Sequence, residues 1–395
     1  MLFIPFTPEM ANDWDYIVCH SDDGWAFSLS AWLEMVTPVW NIENLSFAIR
    51  ENGKLVAVMP LHWIPAEKRI SSSGWGHGGP VIASSASATQ RQRLWRACWT
   101  HVKDIAAQFD AKRITVMITP LCQSSLDNHW GVNPLVEVGF TDVSTHTWIT
   151  DLSRTEPELW QELSENARRK IKQARATGYS VRQISWKDMV DEYYRIHVEN
   201  YQRTGVQPHP KAYFEGIANL SAKHSVLWVG FSPDGSPIAF HNDARFGLAS
   251  LYHTGCSETA HLKSGINYLL FWEAMLGAKG DGCTWYETGE AFPQAAEGKD
   301  KGLTDFKGKF GGELHRFFRG EIIISMKQPE SPVVEENPVP KLDTPDIVEP
   351  MSKYKLLRKW LNASRELSLI ILGERITGVI RRVLLGLINL MGKKQ

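Results

Sequence analysis

Two short stretches, far apart in the chain, align with each other without a gap. One reads Phe-Ala-Ile-Arg-Glu-Asn-Gly-Lys-Leu-Val-Ala-Val from Phe47, the other Val-Gly-Phe-Ser-Pro-Asp-Gly-Ser-Pro-Ile-Ala-Phe from Val229. Asn52-Gly53 falls opposite Asp234-Gly235, and Ala57 opposite Ala239. Apolar runs around Asn-Gly or Asp-Gly specify hairpins, because these residues reach the positive φ of a tight turn. The same strand-turn-strand unit in two places, each within mixed helical and strand patterns, predicts two similarly built α/β lobes. A chain of 395 residues is long enough for both.

The first lobe is expected over residues 1–150. Phe27, Trp32 and Val36 have the spacing of a helix inner face, and Gly74–Pro80 reads as a loop. A helix over about Ser87–Phe109, a strand at Arg113–Ile118 and a closing strand from Thr147 follow. The second lobe, 151–327, starts with a helix over Glu158–Thr177 that buries Leu163, Ala167, Ile171 and Ala174. Its outer side carries a basic stripe, Arg168, Lys172 and Arg175, flanked by Arg169 and Lys170. Such a stripe is either a solvated face or a seat for an anionic substrate, tRNA phosphates included. No RNA-reading module stands beside it, so tRNA is a secondary expectation, and DNA is not expected. A further helix spans Asp188–Tyr201, and Leu314 to Ile324 reads as one last strand.

The densest signal lies between Leu251 and Gly312. A strand from Leu251 leads into a helix carrying Ile266, Leu269, Leu270, Trp272 and Ala274, with Ser264 or Asn267 as candidate caps. The helix runs to about Lys279, and Thr284-Trp285-Tyr286 is the next strand. Lys301-Gly-Leu-Thr-Asp-Phe-Lys-Gly-Lys-Phe-Gly-Gly then reads as a glycine-rich basic turn, open to close approach. The helix start, Lys263, Ser264, Gly265 and Asn267, offers free N–H groups and a cation for an anionic donor group.

The stretch His261–Gly289, HLKSGINYLLFWEAMLGAKGDGCTWYETG, followed by KGLTDFKGKFGG, resembles the C-terminal half of the FemAB-type acyltransferases. LSENARRKIKQARATGYSV resembles their basic linking helix, and the likeness covers roughly residues 25 to 325. The resemblance implies a double GNAT (N-acetyltransferase) fold and an activated acyl donor, either a thioester or an aminoacyl-tRNA. It also implies that Lys307, in its Phe306-Lys307 pair, holds an anionic substrate or the reacting carbonyl. Lys309 is the near alternative. The helix start lacks the full pyrophosphate loop of ordinary GNAT enzymes, so acyl carrier protein and aminoacyl-tRNA stay open as donors beside acyl-CoA.

Acyl transfer to an amine needs a held donor, a base and a site for the developing oxyanion. His241 and His253 lie on expected strands and are candidate bases or hydrogen-bonded structural residues. Glu287 closes a strand end, as a base, an amine-orienting carboxylate or a solvated terminus. Tyr252, Phe306, Lys309, Arg168, Arg169 and Lys172 complete the candidate substrate contacts. No Ser-His-Asp order, G-x-S-x-G elbow or Walker motif is present, which disfavours hydrolase and P-loop readings. Five widely spaced cysteines without CxxC point away from a zinc site or a disulfide framework, and no metal is expected. The start Met-Leu-Phe-Ile-Pro lacks a signal-peptide pattern, so a cytoplasmic chain is the expectation.

Residues 328–350 hold six prolines and six acids against one lysine, the composition of an extended linker. The tail, 351–395, is a basic amphipathic helix by pattern, carrying ten Lys/Arg and two Glu from Lys353 onward. That net +8 leaves about −9 for the rest of a chain whose formal charge is −1. Glu374-Arg375 and Arg381-Arg382 interrupt any run long enough to span a bilayer. The tail therefore reads as an anchor on the inner membrane face or a docking helix for a partner protein. The expected activity is transfer of an acyl group from a thioester to an amine of a small-molecule or cell-envelope precursor. The alternatives are an aminoacyl-tRNA-dependent transferase acting on a peptide precursor and a non-catalytic tethered binding protein.

Overall fold

The computed structural model describes residues 1–324, apart from 73–76, 129–130 and 221; the linker and tail expectations lie outside the described residues. Among the described residues no helix is long and apolar enough to cross a membrane.

Both hairpins form. Phe47–Glu51 pairs with Lys54–Met59 around Asn52 (φ 48°) and Gly53 (φ 79°), the two positive values a two-residue turn demands. Ser225–Phe231 pairs with Pro237–Phe246, and there the Asp234 carboxylate accepts from the Ser236 N–H and the Ser232 hydroxyl. The first hairpin belongs to a four-stranded sheet, the second to one of seven strands, and a six-stranded sheet completes the described set.

The helix Ala88–Gln108, capped by the Ser87 hydroxyl, buries Leu94, Cys98, Trp99 and Val102 against Ile49, Ile114 and Val116. The seven-stranded sheet is covered on both faces. Glu165–Ala176 and Ile266–Gly280 pack one face through Ile171, Ala174, Ile266 and Leu270. Ser30–Val39, Trp186–Thr204 and Lys211–Asn219 cover the other with Trp32, Tyr193, Tyr213 and Phe214.

Three local expectations need correction. The helix expected over Glu158–Thr177 is two, Glu156–Glu162 and Glu165–Ala176. Each has its own start: a Thr155–Glu158 capping box for the first, and the Ser164 hydroxyl accepting from the Ala167 N–H for the second. The glycine-rich turn is the helix Gly298–Lys307 followed by a single turn over Gly308–Phe310. The Lys301–Asp305 pair at 2.7 Å, four residues apart, supports that helix, and Phe306 packs inward on Phe271 and Phe310. The single last strand is also two, Glu313–Phe317 and Arg319–Ile323, and they lie in different sheets.

That last division ties the lobes together. Thr145–Asp151 inserts into the seven-stranded sheet between Trp285–Ala291 and Glu313–Phe317. After the buried Phe318 the chain crosses back, and Arg319–Ile323 pairs with Arg113–Met117 in the six-stranded sheet.

Candidate active site

The seven-stranded sheet divides where two of its strands run parallel. Ala249–Ser257 and Trp285–Ala291 pair only from Ala249 opposite Trp285 to Leu251 opposite Glu287. Beyond that level the first strand stays with Pro237–Phe246 and the second with Thr145–Asp151. Each outer pairing has a register shift at the same level, between Asn242 and Asp243 on one side and between Trp148 and Ile149 on the other. The extra residues are His253 and Thr288, and such bulges bend a strand away from its neighbour. A wedge opens between Tyr252 and Gly289.

A cavity of about 460 Å³ lies at this wedge, between the second-lobe sheet and the first lobe. The second lobe contributes Tyr252, His253, Glu287, Glu290 and Lys307; Arg69, Ser71, His77 and Met117 come from the other side, with Arg319 at the crossing.

Glu287 is 1% exposed. Its Oε1 accepts from the Thr147 hydroxyl at 2.5 Å, and its Oε2 has no hydrogen-bond partner. Burial pushes the carboxyl up to about 7, against smaller lowering effects from the Thr147 hydrogen bond and the Lys307 charge. Lys307 closes the helix Gly298–Lys307 and donates from Nζ to the Glu290 carbonyl at 2.8 Å. Desolvation lowers its pKa, while Glu287 and Glu290 act the other way. Glu290 is held by Arg319 at 2.9 Å and by the Thr145 hydroxyl at 2.6 Å. Burial and the Arg319 charge push His77 down to about 3, so it is neutral at physiological pH. A buried carboxyl whose pKa burial raises to about 7, beside a desolvated amine, is chemically able to accept a proton and to hold an anion.

The other expected site residues divide. Tyr252 and His253 line the cavity, but burial pushes His253 down to about 3, and its Nε2 meets the Tyr213 hydroxyl at 3.1 Å. Of its two expected roles, this geometry fits the hydrogen-bonded structural one. His241 is not among the cavity's lining residues. Its Nε2 lies 2.9 Å from Asp243 Oδ1 and 2.7 Å from the Tyr286 hydroxyl, in a buried cluster that Trp228 joins through Asp243. That is a structural network inside the sheet.

Phe306 packs on Tyr268 and Phe271, and Lys309 reaches the Tyr268 hydroxyl at 3.3 Å. The helix start lies just before Tyr268, but Lys263, Ser264, Gly265 and Asn267 are not among this cavity's lining residues. Gly265, not Ser264 or Asn267, occupies the cap position, with φ 92°. A Cβ there would lie 2.6 Å from the Lys170 carbonyl, so glycine lets the two helices meet. Asn267 Nδ2 donates to Ser257 Oγ at 3.2 Å.

The basic stripe is largely spent on structure. Arg168 donates to the carbonyls of Gln161 and Leu163, both at 2.8 Å, closing the end of the preceding helix. Arg175 pairs with Glu273 at 2.6 Å, whereas Arg169 and Lys172 are exposed. Arg69, Ser71, His77, Arg319 and Thr147 were not among the sequence candidates. Only the long-range pairing of the sheets brings them here.

Residues 161–307 match the family model of the acetyltransferase (GNAT) domain. The solved structure of FemX superposes with a TM-score of 0.61 at 15% identity, covering 82% of this chain and 98% of FemX. L-PGS from Bacillus licheniformis gives 0.52 at 13% identity, covering 80% and 92%. A C-terminal domain from Agrobacterium fabrum, assigned to lysylphosphatidylglycerol synthetase, gives 0.51 at 13%, covering 79% and 91%. No curated protein sequence matches the chain. The fold and the domain match define an acyltransferase of the GNAT class. The chain shares its fold with FemX, and its GNAT domain match falls on residues 161–307.

Proposed function

We propose that the protein transfers an acyl group from a thioester, acyl-CoA or acyl carrier protein, to an amine of a small-molecule or cell-envelope precursor. One observation carries this reading. Glu287 is a buried carboxyl with a free oxygen, a pKa of about 7 and a lysine beside it, at the wedge between two parallel strands. The wedge admits the donor, and the cavity beyond it receives the amine.

Glu287 takes the proton from the attacking nitrogen as the C–N bond forms. Lys307 holds the oxygen that becomes negative. The C–S bond then breaks, and the departing thiolate takes the proton that Glu287 holds, which restores the carboxylate. Oε1 stays fixed on Thr147, which leaves Oε2 for the amine. His253 and His77 are neutral walls in this scheme, and the Lys263–Asn267 helix start is the backbone donor group proposed for the carrier's phosphates.

A second reading rests on the exposed Arg169 and Lys172 and on the likeness to FemX and L-PGS. There the donor is an aminoacyl-tRNA and the acceptor a peptide or lipid-linked precursor. Purified protein, a panel of amines and labelled donors separate the two. Thiol release with label appearing on an amine supports the thioester reading. Transfer from charged tRNA that ribonuclease abolishes replaces it. No transfer with either donor removes the enzymatic account of this cavity.

A further inference from the structure

A second cavity, of about 350 Å³, adjoins the first, and Phe27 and His253 line both. It lies on the same face of the seven-stranded sheet: Ala244, on its wall, belongs to the same packed cluster as Leu251 of the Glu287–Lys307 cavity. Its walls are Leu29, Trp32, Ile217, Leu220 and Ala244, while the exposed Cys19 and Lys223 mark its outer rim with Asp15 and His224. The partition between the cavities is aromatic and uncharged. The rings of Phe27 and His253 are 4.9 Å apart, those of Trp32 and His253 5.6 Å, and the Tyr213 hydroxyl fixes His253 from behind.

We infer that this chamber holds an aliphatic chain of the donor, so that the group transferred is a fatty acyl rather than an acetyl. The inference rests on the acyl-transfer reading of the Glu287–Lys307 cavity. Three features favour an alkyl occupant. The chamber adjoins the cavity in which the thioester carbonyl reacts, with the Phe27 and His253 rings as their common wall. Its inner walls are mostly apolar, the Ser225 hydroxyl being taken up by Asn242, and cavities of this size bury most of a small apolar ligand. The groups that face it from the partition carry no charge, since burial holds His253 neutral. An ammonium placed here would meet no carboxylate except Asp15, at the rim. The chamber thus suits the acyl chain and not the reacting amine.

The test compares octanoyl-CoA with acetyl-CoA on the full-length protein, by calorimetric binding and by thiol release with a fixed amine. We expect octanoyl-CoA to bind at least about tenfold more tightly, the order expected for added methylenes in an apolar pocket. Ala244→Leu fills the chamber and removes that preference while leaving acetyl-CoA unchanged. Ala31→Trp, at an exposed position on the chamber wall, does the same without touching the sheet. Equal binding of the two donors, or a preference that survives both substitutions, overturns the inference. So does a preference for octylamine over ethylamine that Ala244→Leu abolishes, because the chamber then holds the acceptor's tail. Turnover without chain-length discrimination overturns the chamber alone. Absence of turnover with every acyl-CoA overturns the acyl-transfer reading, and this one with it.

Discussion

Replacing Glu287 by Gln should do two opposite things at once. The buried carboxyl titrates at about 7 in the folded protein against an ordinary 4.5. The folded state therefore holds this proton more tightly than the unfolded chain does. Stability is full below pH 4.5, declines as pH rises through 7, and stays reduced above it. At about 1.4 kcal/mol per pH unit, the loss is roughly 3 kcal/mol at alkaline pH. Glutamine cannot ionise, and its carbonyl still accepts from Thr147. Glu287→Gln should thus match the wild type at pH 4 and exceed it by about 3 kcal/mol at pH 8.5. Denaturant unfolding at the two pH values reads this directly. In the same preparations kcat/KM should fall by about 10²–10⁴, the range for loss of a general base. The wild-type rate should rise with pH through an apparent pKa near 7, and the variant should lack that limb. A variant that is inactive but no more stable at pH 8.5 would refute the claim that this carboxyl is ionised and desolvated in the fold. A variant that keeps the limb would assign the base elsewhere.

Lys307→Met should lower kcat/KM by about 10²–10³, through loss of a preorganised cation at the reacting oxygen. Because the Lys307 charge holds Glu287 down, the pH–rate limb should also move to higher pH; an unmoved limb would mean the two groups do not interact. His241→Phe should cost about 2–3 kcal/mol in chemical denaturation, as it strips a partner from the buried Asp243 and Tyr286. Its pH–rate profile should keep the wild-type shape; loss of the limb would return His241 to the catalytic candidates.

What the sequence made legible was local. Asn52-Gly53 and Asp234-Gly235 mark their hairpins because turn geometry is a property of a few adjacent residues. The helix Ile266–Gly280 follows from its apolar spacing for the same reason. The segment after Lys301 was misread because glycines at 302, 308, 311 and 312 outweighed a pairing four residues apart, Lys301–Asp305, and the inward packing of Phe306. Arg168 looked like part of an anion-binding stripe, yet it closes the end of a helix that the sequence did not separate from its own. For His241 the sequence leaves a base and a structural role both open, and only the fold supplies its partner Tyr286, on another strand, 2.7 Å away. Glu287 was a candidate at a strand end; its hydrogen-bond partner, Thr147, lies more than a hundred residues earlier. Arg69, Ser71 and His77 carry no local signal for this cavity at all. Contacts of that range depend on which strands find each other, and composition does not encode that pairing.

The strand exchange makes the two lobes inseparable in a way that can be tested. Thr145–Asp151 precedes the expected second lobe, yet it is the strand that pairs with Trp285–Ala291 over six residue pairs. A fragment of residues 152–327 lacks it. Trp285–Ala291 and Glu313–Phe317 would then lose the partner they share, and each would present an unpaired edge. Glu287 would lose the Thr147 hydroxyl, and the buried Ile149 would leave the core. Arg319–Ile323, whose partners are Arg113–Met117 and Thr141–Asp142, would be left with neither. The fragment should therefore aggregate or remain unfolded, whereas residues 1–327 should fold cooperatively, as read by circular dichroism and thermal unfolding. A soluble 152–327 fragment with a single sharp transition would show that the exchanged strand is dispensable. The Glu287 cavity would then be a property of one lobe rather than of the place where the chain crosses between two.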